Sequence, residues 1–181
     1  MKYNNLIKLL ASVIICELAG VVGSFFTVSQ IGTWYRGLNK PFFNPPNWIF
    51  GPVWTTLFIL MGISLYMVWS KKFVVKNELD FRKKKAWNRW SQQFFNGKWQ
   101  KANIVIIFIL QLFLNVLWSI IFFGWHSLGA AFFELLMLWF AIIYLIINFY
   151  RVSKAAAYLL LPYILWVSFA GILNYLIWVL N

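Results

Sequence analysis

Five long apolar runs dominate this 181-residue chain and restrict the folds open to it. A helix that crosses the hydrocarbon core of a bilayer needs about 20 mostly apolar residues. Runs of that length lie at about residues 6–28, 48–70, 102–123, 130–150 and 155–180. Only 11% of the residues are charged, whereas a soluble domain has about 25%. The sequence therefore predicts a single all-α domain over residues 1–181, an integral membrane bundle of five transmembrane helices.

The basic residues are concentrated on one side of this predicted bundle. Ten of the sixteen Lys and Arg residues lie in a basic loop at 71–101, and four more lie near the N-terminus and in the turn before the fifth helix. Only Arg36 and Lys40 lie on the other side. Because Lys and Arg mark cytoplasmic loops, we expect a cytoplasmic N-terminus and an external C-terminus in a multi-pass protein of a bacterial cell membrane. The net charge of +12 then belongs to loops, and we expect no nucleic-acid partner.

The basic loop at 71–101 is also aromatic, with Trp87, Trp90 and Trp99 among its residues. This composition is unlike that of a simple linker. It is typical of an amphipathic segment that lies on an anionic lipid surface. A binding site for a partner protein is the alternative interpretation.

The residues of common catalytic sites are scarce. The single Cys16 excludes an internal disulfide, and His126 has no partners at metal-ligand spacing, so no metal site is predicted. Glu17 and Glu134 lie inside apolar runs, where carboxyl groups are functional candidates by default. A proton relay in a secondary transporter is one interpretation, and neutral carboxyls packed in the protein interior are the other.

Polar and aromatic residues share faces on three of the predicted helices. Gln111, Asn115, Trp118 and Phe122 recur at helical spacing, and an unpaired amide in hydrocarbon is costly, so this face should turn inward. Similar faces are formed by Trp54, Phe58, Met61 and Leu65, and by Trp166, Ala170 and Leu173 with Asn174 at the edge. Such faces suit a flat apolar cavity for a large planar ligand. Tryptophans that mark the membrane interface or pack helices together are the alternative.

Four ordered motifs are distributed along the chain between residues 34 and 174. They are Trp34-Tyr35-x-x-Leu38-x-Lys40-Pro41-x-Phe43-x-Pro45-Pro46-x-Trp48, Phe50-Gly51-Pro52-Val53-Trp54-Thr55, Leu114-Asn115-x-x-Trp118-x-x-x-Phe122-Phe123-Gly124, and Leu161-Pro162-Tyr163-x-x-Trp166-x-x-Phe169-Ala170-x-x-Leu173-Asn174. In this order they resemble the TspO/MBR family, which includes tryptophan-rich sensory proteins and the translocator protein.

The resemblance implies a five-helix bundle, commonly a homodimer, with a pocket closed by the first loop. It implies a membrane protein that binds tetrapyrroles, protoporphyrin IX or haem, or another planar apolar molecule, and that senses, regulates or transports them. It also implies contact with membrane lipid and no required cofactor beyond the porphyrin ligand. The implied ligand-binding residues are Tyr35, Phe50, Val53, Trp54, Asn115, Trp118, Trp166, Ala170 and Leu173.

The resemblance also implies an enzyme-like role as the alternative to binding and regulation. Some bacterial relatives promote light- and oxygen-dependent breakdown of protoporphyrin, and Trp54 and Trp166 match the tryptophans implicated in it. The chain departs from the animal cholesterol motif, because no Lys or Arg follows Tyr175. That motif is a weak pattern, and its absence argues against cholesterol as the natural ligand.

Overall fold

The computed structural model describes residues 2–70 and 97–181, and these residues are helical with short connections. A π-helical turn at Ile120–Gly124 continues the fourth helix. The helices are α1 Lys2–Ile31, α2 Trp34–Gly37, α3 Asn47–Trp69, α4 Gly97–Ser119, α5 Leu128–Val152, α6 Lys154–Leu159 and α7 Leu161–Leu180.

Five segments of the described residues are long and apolar enough to cross a membrane. They are Tyr3–Ile31, Asn47–Trp69, Ala102–Gly124, Leu128–Val152 and Lys154–Leu180. This confirms the predicted all-α membrane bundle of five helices. The first span is longer than the predicted run at about 6–28, and α4 begins at Gly97, inside the predicted basic loop. The rest of that loop, 71–96, lies outside the described residues.

The spans pack in a ring. The α3 helix packs on α1, α1 on α4, α4 on α5, and α5 on α7. The short α6 closes the ring by packing on α3, where the hydroxyl of Ser64 donates a 2.7 Å hydrogen bond to the carbonyl of Ala156. Gly62 allows the close approach of α1 and α3, since a Cβ there would lie 2.5 Å from the Cα of Val13.

A turn at Leu160 divides the fifth span and shapes the space inside the bundle. The turn ends α6, and Pro162 lies in the first turn of α7, where a missing N–H costs little. Because the chain changes course here, α6 packs on both α3 and α5, whereas α7 packs on α5 and not closely on α3. The backbones of α3 and α7 are therefore not closely packed on each other, and aromatic side chains lie between them.

Candidate ligand-binding cavity

A cavity of about 310 Å³ lies between α1, α3, α4 and α7, with α2 at one end. Its size is within the range of about 300–1,000 Å³ found for small-molecule sites. Small residues of α1 and α7, among them Gly20, Gly23 and Ala170, leave room for it. Its aromatic walls are formed by Tyr35, Phe50, Trp54, Phe58, Trp118, Phe122, Phe123 and Trp166. The cavity is thus largely apolar and lined by ring faces and edges.

The residues carried over from the resemblance meet at this cavity, with one exception. Tyr35, Phe50, Trp54, Asn115, Trp118, Trp166, Ala170 and Leu173 all line it. Val53 instead lines a groove on the outer surface between α3 and α7. One step along a helix turns the side chain by about 100°, so Val53 and its neighbour Trp54 face different spaces.

Two tryptophans that line the cavity, Trp54 and Trp166, are held by other rings. The Trp54 ring lies 5.7 Å from that of Phe58 and 6.5 Å from that of Tyr163. The Trp166 ring lies 6.1 Å from that of Phe50 and 5.5 Å from that of Phe169. Contacts of this kind stabilise ring orientation, so both indoles present defined surfaces to the cavity.

Side-chain amides fix the wall that α4 and α7 form. The Tyr163 hydroxyl donates to the Gln111 Oε1 at 2.9 Å, and the Asn115 Nδ2 donates to the Gln111 carbonyl at 2.7 Å. The predicted inward face of α4 is confirmed, since Gln111, Asn115 and Phe122 are buried and Trp118 is half-buried. A hydrogen-bonded amide cluster behind an aromatic wall keeps the wall rigid.

Three cavity residues hold buried polar atoms that make no hydrogen bond within the described part of the chain. They are the Trp166 Nε1, a donor, the Asn115 Oδ1, an acceptor, and the Glu17 Oε1, an acceptor when the carboxyl is ionised. Buried polar atoms normally have a partner. A few such atoms in an apolar cavity are the usual means by which a site orients a ligand.

A cover formed by residues 32–46 closes the cavity on the side of α2. Tyr35 is buried in it, 6.1 Å from the Phe122 ring and 5.8 Å from the Phe123 ring, and its hydroxyl donates to the Asn44 Oδ1 at 2.8 Å. Burial raises the pKa of Tyr35 to about 12. The Lys40 Nζ lies 4.7 Å from the centre of the Tyr35 ring, which places a cation at this end of the cavity.

The cover is fastened to two other parts of the molecule. Asn39 and Asn181 exchange hydrogen bonds, from the Asn39 N–H to the Asn181 Oδ1 and from the Asn181 Nδ2 to the Asn39 carbonyl, each 3.0 Å long. The Trp34 ring stacks on His126 with 4.1 Å between centroids, and the His126 Nε2 lies 3.3 Å from the Gln30 Oε1. The sequence alone does not reveal that His126 fastens the cover, because its stacking partner Trp34 lies 92 residues away.

A sequence model of the TspO/MBR family matches residues 12–179, nearly the whole chain. The chain belongs to the TspO/MBR family. It is 41% identical over 177 residues to the tryptophan-rich protein TspO of Archaeoglobus fulgidus, covering 98% of this chain and 99% of that protein. It is 35% identical over 163 residues to the human translocator protein, with 90% and 83% covered. It is 27% identical over 142 residues to the tryptophan-rich sensory protein of Cereibacter sphaeroides, with 78% and 73% covered.

The two intramembrane carboxyl groups of this TspO/MBR protein do not share one site. Glu17 lines the cavity, whereas Glu134 is buried in α5 and is not part of the cavity wall. Neither oxygen of Glu134 has a hydrogen-bond partner among the described residues. The structure therefore places one carboxyl where a ligand would meet it and the other behind the wall.

Proposed function

We propose that this TspO/MBR protein binds a tetrapyrrole, such as protoporphyrin IX or haem, in the central cavity and serves as its membrane sensor, regulator or transporter. Membership of the family supports the broader role of a membrane sensor or regulator. The observation that carries the tetrapyrrole proposal is a membrane-level cavity walled by Trp54, Trp118 and Trp166. Flat aromatic walls bind a planar apolar ring by stacking at low entropic cost.

The charges at the covered end fit the polar part of such a ligand. A porphyrin joins a planar apolar macrocycle to two carboxylates. Lys40 lies over the Tyr35 ring at the covered end, and Arg36 is exposed in the same segment. Charge-assisted hydrogen bonds to carboxylates are stronger than neutral ones. We expect the macrocycle at membrane level and its carboxylates towards Lys40 and Arg36.

A second candidate function is breakdown of the bound porphyrin by light and molecular oxygen. It is favoured by the placement of Trp54 and Trp166 on the cavity, where both indoles would lie beside an excited ligand. The porphyrin supplies the excited state and oxygen is the oxidant, so acid–base residues are not needed for it.

One experiment tests the binding proposal and separates the two functions. Purified protein is titrated with protoporphyrin IX in the dark and then illuminated in air, alongside the variants Trp54→Phe and Trp166→Phe. Trp178→Phe is the control, since Trp178 lines neither the cavity nor the outer groove. Saturable tryptophan quenching with a stable porphyrin spectrum supports binding alone. Bleaching that Trp54→Phe or Trp166→Phe abolishes supports the photochemical function, and a lack of saturable quenching rejects both.

A further inference from the structure

An apolar groove of about 520 Å³ runs along the outer surface of the bundle between α3 and α7. Leu60 of α3 and Leu165 and Phe169 of α7 are among its lining residues, and Leu165 is 69% exposed. The groove lies within the segments that span the membrane. Its surroundings are therefore lipid chains, and an apolar molecule dissolved in the bilayer has direct access to it.

Trp166 separates this groove from the central cavity. Among the residues that the structure describes, only Trp166 lines both the groove and the cavity. Its Nε1 is buried and has no hydrogen-bond partner in the described residues, so no polar contact holds the indole in place. Rotation of the indole breaks its ring contacts with Phe50 and Phe169 but no hydrogen bond.

The backbones of α3 and α7 are not closely packed beside Trp166. The two helices, both fully described, run antiparallel, with the Phe50 ring opposite Trp166 and the Trp54 ring opposite Tyr163. The α3 helix packs closely on α1 and α6, and α7 on α5 and α6, but α3 and α7 do not pack closely on each other. Side chains rather than packed backbone therefore close the gap between them.

The opposite end of the cavity is closed much more firmly. The cover is held by the paired hydrogen bonds of Asn39 and Asn181, by the bond from Tyr35 to Asn44, and by the stacking of Trp34 on His126. A ligand that came from water through the cover would have to break several of these contacts together. A ligand that came from the bilayer by way of the groove would have to displace one indole, which makes ring contacts but no hydrogen bond in the described residues.

We propose that the ligand enters the central cavity sideways from the bilayer, between α3 and α7, by displacing the side chain of Trp166. The outer groove is the first site on this route and holds the planar apolar ligand in contact with lipid. This inference rests on the proposed binding of a tetrapyrrole. It adds the source of the ligand, which is the hydrocarbon phase, and the position of the gate.

The test blocks the groove without touching the cavity. Leu60 and Leu165 are both replaced by Trp. The matched control carries Trp at Ile59 and Ile172 instead, which are exposed residues of the same two helices and line neither the groove nor the cavity. Each protein is reconstituted into phosphatidylcholine vesicles. Association and dissociation of protoporphyrin IX are followed by the change in the porphyrin absorption spectrum. The variant Asn181→Ala, which removes both side-chain hydrogen bonds to the backbone of Asn39 in the cover, is measured in the same way.

We expect the groove-blocking pair to lower both rate constants by about tenfold while the equilibrium dissociation constant stays within about twofold, because a blocked route changes the barrier and leaves the bound state unchanged. The control pair and Asn181→Ala should bind at the wild-type rates. Wild-type rates in the groove-blocked protein, or faster binding in Asn181→Ala, would overturn the lateral route. Absence of binding by the wild-type protein would instead reject the tetrapyrrole proposal, and the lateral route with it.

Discussion

The Trp118 Nε1 donates a hydrogen bond of 3.1 Å to the Asn174 Oδ1, which ties α4 to α7 across the back of the cavity. The Nδ2 of Asn174 in turn donates to the Leu128 carbonyl at the start of α5, at 2.8 Å. One buried amide therefore links three helices and sets the orientation of a cavity tryptophan. Because few polar groups are available inside a membrane protein, this link has a large share in keeping the wall in place.

Replacement of Asn174 by Ala should destabilise the bundle. It leaves the Trp118 N–H without this partner and removes the bond to the Leu128 carbonyl, and an unsatisfied buried group costs about 1–3 kcal/mol. The control is Asn148→Ala, since among the described residues the Asn148 Nδ2 bonds only to the Tyr144 carbonyl of its own helix. Unfolding in detergent with increasing denaturant measures the difference. A loss of stability no larger in Asn174→Ala than in Asn148→Ala would show that the three-helix link does not stabilise the fold.

Gly62→Ala should also destabilise the protein, by forcing α1 away from α3. The added Cβ would meet the Val13 Cα at 2.5 Å and its backbone nitrogen at 2.9 Å, and backbone atoms cannot move aside as a side-chain end can. Gly51→Ala in the same helix is the control, because a Cβ there meets open space. Alanine is favoured over glycine in a helix by about 1 kcal/mol, so Gly51→Ala should be neutral or stabilising. Equal melting temperatures for the two variants would contradict the close packing of α1 on α3.

The cover should loosen at high pH through Tyr35. Burial raises the pKa of Tyr35 to about 12, above its ordinary value of 10.0. The contribution of the buried neutral phenol to stability is therefore complete below pH 10, and it is lost as the pH rises towards 12, because the unfolded state releases the proton first. Thermal unfolding followed from pH 9 to pH 12 should show a larger fall for the wild type than for Tyr35→Phe. Identical pH dependence in the two proteins would mean that Tyr35 does not anchor the cover.

The C-terminus should lie outside the cell. The structure places Asn181 beside Asn39 of the cover, and the cover carries only Arg36 and Lys40, whereas most basic residues fall on the other side. The positive-inside rule therefore predicts that the cover side is external. A reporter fused after Asn181 that is active only outside the cytoplasm should be active. Activity of a reporter that works only in the cytoplasm would reverse the orientation and place the cover inside.

Hydropathy was enough to predict the five spans, because the bilayer requires a long apolar run for each helix. The direction in which each side chain of a helix faces, towards the cavity or towards the outer surface, was harder to predict. The α3 helix is apolar all round, so its pattern does not separate Val53, on the outer groove, from Trp54, on the cavity. Where a helix carries polar groups the pattern is informative, as for Gln111 and Asn115 of α4, which are buried as predicted.

Contacts between distant parts of the chain could not be predicted from local pattern. The stacking of Trp34 on His126 and the pairing of Asn39 with Asn181 join residues that nothing in their sequence neighbourhoods connects. The outer groove also depends on contacts between distant parts of the chain, because it forms where the turn at Leu160 separates α7 from α3. These features follow from tertiary packing alone.

The measurement that tests the proposed function most directly is a binding titration of protoporphyrin IX to a protein whose cavity is filled. Ala170 lines the cavity, and Ala170→Phe would occupy that space without removing any hydrogen bond, while Ile172→Phe adds the same ring on the lipid-facing side of the same helix. We predict saturable tryptophan quenching in the wild type and in Ile172→Phe, and a loss of affinity of at least about tenfold in Ala170→Phe. Equal affinity in all three proteins would contradict binding in the central cavity.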